Sequence, residues 1–217
     1  GLKIGLPSQA WNAGVDSAVC HALSEQLSEL EARGAELVEV DMPMLSAAIP
    51  TYYLLTSAEA ASNLSRFDGL RCGTRHARDT LAETVIASRT AGFGPEVKRR
   101  ILLGTFSLAE GFSSDLYQRA TAVRAAMRSE FNSILTSVNV IATPTSPSPA
   151  FRLGEKIQDP VSMYLSDIYT TPPSLTGHPA LSVPSGTVDG LPIGLQLIGQ
   201  ERSEAEILTL GMVINGR

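Results

Sequence analysis

Charged residues interrupt apolar runs at two places in this chain. Arg99 and Arg100 head a segment, PEVKRRILLGTF, that turns apolar directly after them, and Asp167 stands between Leu165 and Ile168. A charge drawn out of water needs a partner or a ligand. A guanidinium can grip a carboxylate through two parallel hydrogen bonds, and an aspartate can pair with an ammonium. Arg99 or Arg100 with Asp167 would therefore suit the two ends of an α-amino acid. A second reading stands equally open: the arginines and the aspartate form structural ion pairs with one another, or with Asp68 and Glu96.

A nucleophile needs a base within reach and donors for an oxyanion, and the sequence offers no such arrangement. His21, His76 and His178 are isolated, and each reads more simply as a solvated or hydrogen-bonded histidine than as a catalytic one. Cys20 neighbours His21, but adjacent side chains on a helix do not face each other. Ser185-Gly186 lacks the flanking glycines of a nucleophile elbow. A Ser–Lys pair would have to use Lys3, Lys98 or Lys156, none of which sits in a supporting local motif.

The elements that must position these residues follow from periodicity. Leu2–Leu6 and Glu36–Val40 read as strands around a helix carrying Val19, Leu23, Leu27 and Leu30, with Asp16 as N-cap and Gly34 just past its end. This is a βαβ pattern, which calls for neighbouring parallel strands. No GxGxxG or P-loop follows the first strand, so a nucleotide site is not supported. Helices are expected over Met44–Leu64, Leu81–Ser88, Glu96–Ala109 with Pro95 in the first turn, and the long amphipathic run Leu116, Ala120, Val123, Met127, Phe131, Ile134. Val138–Ala142 reads as a buried strand that gives way to a proline-rich loop from Thr143 to Pro149. A loop is expected over Gly154–Pro160 and a helix or turn over Ser162–Tyr169. The stretch from Asp167 to Gly199 then reads as half of a substrate pocket. It contains strands at Ala180–Val183 and Ile193–Ile198, joined as a hairpin through Asp189-Gly190, and a helix over Glu204–Val213 follows. The fold class is α/β, a mixed β-sheet flanked by helices, in one compact domain.

Composition limits the partners. The chain of 217 residues is 43% hydrophobic, enough for a sizeable core, and its net charge of -5 offers no direct footprint for nucleic acid. Basic residues cluster only locally, at Arg71–Arg78 and Lys98–Arg100. Cys20 and Cys72 lack the spacing of a disulfide framework or zinc site, and no run is long and apolar enough to span a membrane. With no signal-peptide pattern at its start, the chain is expected in a reducing cytoplasm. It begins at Gly1 without a methionine and enters a strand at once, the expected appearance of a piece of a longer protein.

Several of these segments resemble the amidase signature family, and within it the A subunits of glutamyl-tRNA(Gln) amidotransferases. The resemblance runs through GLKIGLP, AEAASNLSRFDGLRCGTR (58–75), GFGPEVKRRILLGTF (92–106), YQRATAVR (117–124), VIATPTSP (140–147), GHPALSVPSG and LPIGLQLIG. That family cleaves carboxamides with a Ser–cisSer–Lys triad set in a Gly/Ser-rich signature, and no such run occurs here. The resemblance thus implies that residues 1–217 are the C-terminal portion of a single amidase domain whose catalytic half lies upstream. It implies glutamine as substrate, with Arg100 on the α-carboxylate, Arg99 as the second choice, Asp167 on the α-amino group, and Tyr52 or Tyr53 lining the pocket. No cofactor is expected on this chain. The implied partners are the B and C subunits of the amidotransferase; the B subunit would use ATP and Mg²⁺ and hold most of the tRNA. Two other readings are a fragment of a stand-alone amidase acting on another carboxamide, and a truncated, non-catalytic assembly module.

Overall fold

The computed structural model describes residues 1–12, 14–109, 114–156 and 159–216. The expected strand pair forms. Strand β1 (Lys3–Pro7) runs into a short helix α1 (Ser8–Asn12), which periodicity did not announce. Helix α2 (Ser17–Ala32) then leads to β2 (Glu36–Val40). β1 and β2 are parallel, with Lys3 opposite Glu36 and Pro7 opposite Val40. The Asp16 carboxylate accepts from the Ala18 amide and so caps α2, while Gly34 takes φ +97°, the left-handed exit that glycine allows.

A 3₁₀ turn over Pro43–Ala47 replaces the first part of the helix expected from Met44, and α3 follows as Ala48–Asn63. Pro43 opens that turn, where its missing N–H costs no helical bond. Next come α4 (Leu81–Gly92), α5 (Pro95–Leu108, with Pro95 in the first turn), α6 (Ser114–Ile134) and β3 (Val140–Pro144). The chain continues through α7 (Pro160–Leu165), α8 (Thr171–Thr176), β4 (Ala180–Val188), β5 (Leu191–Ile198) and α9 (Glu204–Ile214). The loop expected over Gly154–Pro160 includes residues 157 and 158, which lie outside the described residues.

The five strands form one mixed sheet in the order β2-β1-β3-β5-β4, with β3 parallel to β1 and antiparallel to β5. The sequence reading ended the central strand before Thr143; it runs on to Pro144, which lies opposite Leu195. The proline is tolerated because Thr145 donates its amide to Gly194 on β5, so the alternate position, Pro144, faces the β1 side, and β1 pairing has already ended at Ile141. The hairpin forms as expected, Asp189 and Gly190 both adopting positive φ (50° and 77°), the signature of a tight type I′ turn.

The chain divides into two compact units, a sheet unit of residues 1–49 and 123–217 and a helical unit of residues 50–122. In the sheet unit, Val19, Leu23, Leu27 and Leu30 of α2 and Ile207, Leu210 and Ile214 of α9 pack on one sheet face against Ile4, Val140, Leu195 and Leu197. Each such aliphatic side chain contributes about 1.5–3 kcal/mol on burial. β3 is buried on both faces, as befits a central strand.

Candidate functional site

In the helical unit, α3 and α5 bring four of the residues singled out by sequence into one cluster. The crossing is made by two small residues: a Cβ added to Gly104 on α5 would lie 1.9 Å from the carbonyl oxygen of Ser57 on α3, closer than any real side-chain atom approaches backbone. Arg100 and Tyr53 each sit one helical turn before those crossing residues, on the same faces. The Arg100 guanidinium carbon consequently lies 5.2 Å from the centre of the Tyr53 ring, within cation–π range. Tyr52 and Tyr53 meet edge to face at 5.2 Å.

Glu96, in the first turn of α5, binds both arginines. Arg100 Nε donates to Glu96 Oε1 at 3.1 Å, and Arg99 Nη1 donates to Glu96 Oε2. Burial pulls the Arg100 pKa down, but the bond it donates to Glu96, then one it donates to Tyr52 and the proximity of both tyrosine hydroxyls, outweigh it and leave the pKa above its ordinary value. Arg100 is a half-buried cation and Arg99 an exposed one. The structural ion-pair reading is therefore realised at Glu96. It is not realised at Asp68, whose carboxylate accepts from the Leu70 and Arg71 amides and pairs with the Arg71 side chain at 3.2 Å.

Asp167 lies in the sheet unit, in the turn between α7 and α8, and is exposed. Reading it as a charge in apolar surroundings is corrected here. Its sequence neighbour Leu165 is itself 46% exposed, because successive residues of a turn point in different directions. Its main chain is the fixed part, the Asp167 carbonyl accepting from the Thr171 amide at 3.0 Å and from Thr170 Oγ1 at 3.3 Å.

The structure adds a pairing that no local motif announced. Lys156 Nζ donates to Ser166 Oγ at 2.7 Å and lies 4.5 Å from the centre of the Phe151 ring. The pair borders a cavity of about 330 Å³ also lined by Asp16, Ser148, Asp159 and Ser162. With the ammonium donating, the arrangement anchors the residue next to Asp167 and supplies no base to the serine. The other candidates fall where the simple reading put them. His21 is exposed beside Glu25, Cys20 donates to the Trp11 carbonyl, and Ser185 donates to the Val183 carbonyl. A wider recess, about 600 Å³ beside α4, is lined by charges of both signs, among them Arg78, Asp79 and Glu83, and by none of the predicted site residues. Among the described residues there is no group of three or more His, Cys, Asp or Glu side chains placed to hold a metal ion, and no helix long and apolar enough to cross a membrane.

Known proteins resemble this chain along nearly its whole length. The Amidase family profile matches residues 1–208. The chain is 47% identical over 211 residues to the A subunit of the glutamyl-tRNA(Gln) amidotransferase of Chloroflexus aggregans, covering 97% of this chain and 43% of that protein. It is 49% identical over 212 residues to the corresponding protein of Halorhodospira halophila, covering 97% and 44%. Among solved structures it is similar to the A subunit of the Thermotoga maritima amidotransferase, with TM-score 0.72 and 35% identity over 95% of this chain and 40% of that one. It is also similar to an enzyme described as an amidase, with TM-score 0.78 and 27% identity over 100% and 45%. The chain thus spans about two-fifths of the length of the relatives it matches. A match over nearly every residue, on a mixed α/β sheet shared with solved amidases, settles the kinship: the chain belongs to the amidase signature family.

Proposed function

We propose that residues 1–217 form the glutamine-recognising C-terminal part of an amidotransferase A subunit, which hydrolyses glutamine so that ammonia can convert Glu-tRNA(Gln) to Gln-tRNA(Gln). The observation that carries this reading is the Arg99–Arg100 pair, which holds the carboxylate of Glu96 while the Arg100 guanidinium lies over the Tyr53 ring. A surface built to hold one carboxylate is chemically suited to a substrate carboxylate as well. Arg100 would take the α-carboxylate of glutamine, with Arg99 beside it and Tyr52 and Tyr53 forming the wall. Asp167 would take the α-amino group, leaving the side-chain amide for a nucleophile supplied from outside these residues. The chain by itself is then inactive, a claim that ammonia release from glutamine by the purified 217-residue protein would overturn.

In this reading the partners are the B and C subunits of the amidotransferase, with tRNA held mainly by B and ATP and Mg²⁺ used there, in the cytoplasm; this chain holds no cofactor. The identity of 46–49% to A subunits over nearly the whole chain supports this assignment. A second reading, a stand-alone amidase for another carboxamide, is favoured by the TM-score of 0.78 to the solved amidase. One experiment separates the two. In the full-length enzyme, Arg100→Ala should raise the KM for glutamine by roughly 10- to 100-fold, the loss of one charge-assisted carboxylate interaction of about 1.5–3 kcal/mol. Unchanged glutamine kinetics would rule out the carboxylate role of Arg100.

A further inference from the structure

We propose that Glu96 is a positioning residue for substrate binding, holding Arg100 at Nε so that its terminal nitrogens form the edge that grips the substrate carboxylate. The inference rests on the glutamine reading of the Arg100 site and deepens it by naming a residue that touches no substrate atom. Three observations carry it.

The first is where the bond is made. Glu96 reaches Arg100 within one helix, four residues on, and engages Nε, the guanidinium nitrogen nearest the main chain. A guanidinium carries five N–H groups in a fixed fork, so an anchor at Nε fixes the orientation of the Nη1–Nη2 edge, the edge a carboxylate can bridge with two bonds. The Tyr53 ring lies 5.2 Å from the guanidinium carbon and Tyr52 accepts a further bond from it, so the group is held on a second side.

The second is charge. Arg99 and Arg100 are adjacent cations, and one carboxylate binds both. Glu96 thereby offsets part of the positive charge that two adjacent guanidiniums concentrate.

The third is energetic. An ion pair at this spacing on a partly exposed helix surface adds little to stability. A carboxylate in the first turn of α5 already gains from the helix N-terminus whether or not it meets an arginine. Stability therefore gives little reason for one carboxylate to join two arginines, whereas pre-ordering a flexible arginine is worth up to about tenfold in affinity.

The test is a double-mutant cycle in the full-length enzyme with glutamine as probe. Glu96→Gln should raise the KM for glutamine by up to about tenfold, with the loss carried by KM rather than kcat. In the Arg100→Ala background the same substitution should add nothing, because Glu96 acts only through Arg100; a role confined to helix stability would give equal effects in both backgrounds. Glu96→Asp keeps the charge at the helix start while drawing the carboxylate back from Arg100. A raised KM in that variant too, with an unchanged melting temperature, places the effect in the grip and not in the fold. A KM that falls in Glu96→Gln would mean that Glu96 competes with substrate, and an unchanged KM would mean that it does not act on Arg100; either result overturns the proposal. If Arg100→Ala itself leaves KM unchanged, the glutamine reading falls. If Arg100→Ala raises KM and neither Glu96 variant does, only the role of Glu96 falls.

Discussion

At the scale of residues, His178 shows how surroundings decide a charge. Its ring is 5% exposed, with Nδ1 2.9 Å from Thr176 Oγ1, Nε2 3.0 Å from Asn132 Oδ1, and the Phe131 ring 5.3 Å away, centre to centre. Burial holds its pKa below the ordinary value; Glu201 pulls it up and Arg128 pushes it down, and those two pair with each other at 2.5 Å. The unfolded chain therefore binds this proton more readily than the folded one. The neutral ring's contribution to stability is present above the unfolded value, about pH 6.5, and declines as pH falls below it toward the folded value. The urea midpoint of the protein should drop between about pH 7.5 and 5, and in His178→Gln that drop should be shallower. An unaltered profile would show that this histidine is not the titrating group. The sequence already favoured a satisfied histidine here, yet Asn132 stands 46 positions away and no local pattern links the two. Asp167 marks the opposite limit: its apolar neighbours in sequence suggested burial, and a turn exposes it.

Among elements, the crossing of α3 and α5 is what brings Arg100 and Tyr53 of the proposed site together. Gly104→Ala would drive a methyl group into the Ser57 carbonyl and the Ala61 side chain, and the helices must separate to admit it. The expected result is a loss of about 1–3 kcal/mol in stability, read as a lower melting temperature. A raised KM for glutamine in the full-length enzyme should accompany it, as Arg100 moves off the Tyr53 ring. Retention of both properties would mean that the crossing does not set the site. Both helices were legible from their formers and from Pro95, but their crossing was not, because a glycine in a helix announces a close approach without naming its partner. Proline misled at one place, Pro144, which ends β3 on the side where pairing has stopped. Pro172 and Pro173 fall in the first turn of α8, where a missing N–H is harmless. The strands β1, β2 and β5, the Asp16 cap and the Asp189-Gly190 turn were readable because each depends on adjacent residues alone.

For the whole molecule, connectivity matters as much as architecture. The sheet unit is assembled from two stretches of chain, and residues 50–122 lie between them. β1 meets β2 through the short α2 crossover, but its other neighbour is β3, with Ile4 opposite Val140. Closing a loop costs entropy that grows with the logarithm of its length, about 2 kcal/mol for each tenfold increase. The central pairing of the sheet therefore meets its largest entropic cost before any of its own hydrogen bonds form. The helical unit draws on nearer partners, such as Gly69 against Ser88 and Ser57 against Gly104. The order of refolding follows: in pulse-labelled hydrogen exchange the amides of α4 and α5 should gain protection before those joining β1 to β3, and the reverse order would show that loop closure is not limiting. Time thus enters at Ile4, which is made before Val140 and must wait for it before it can be buried.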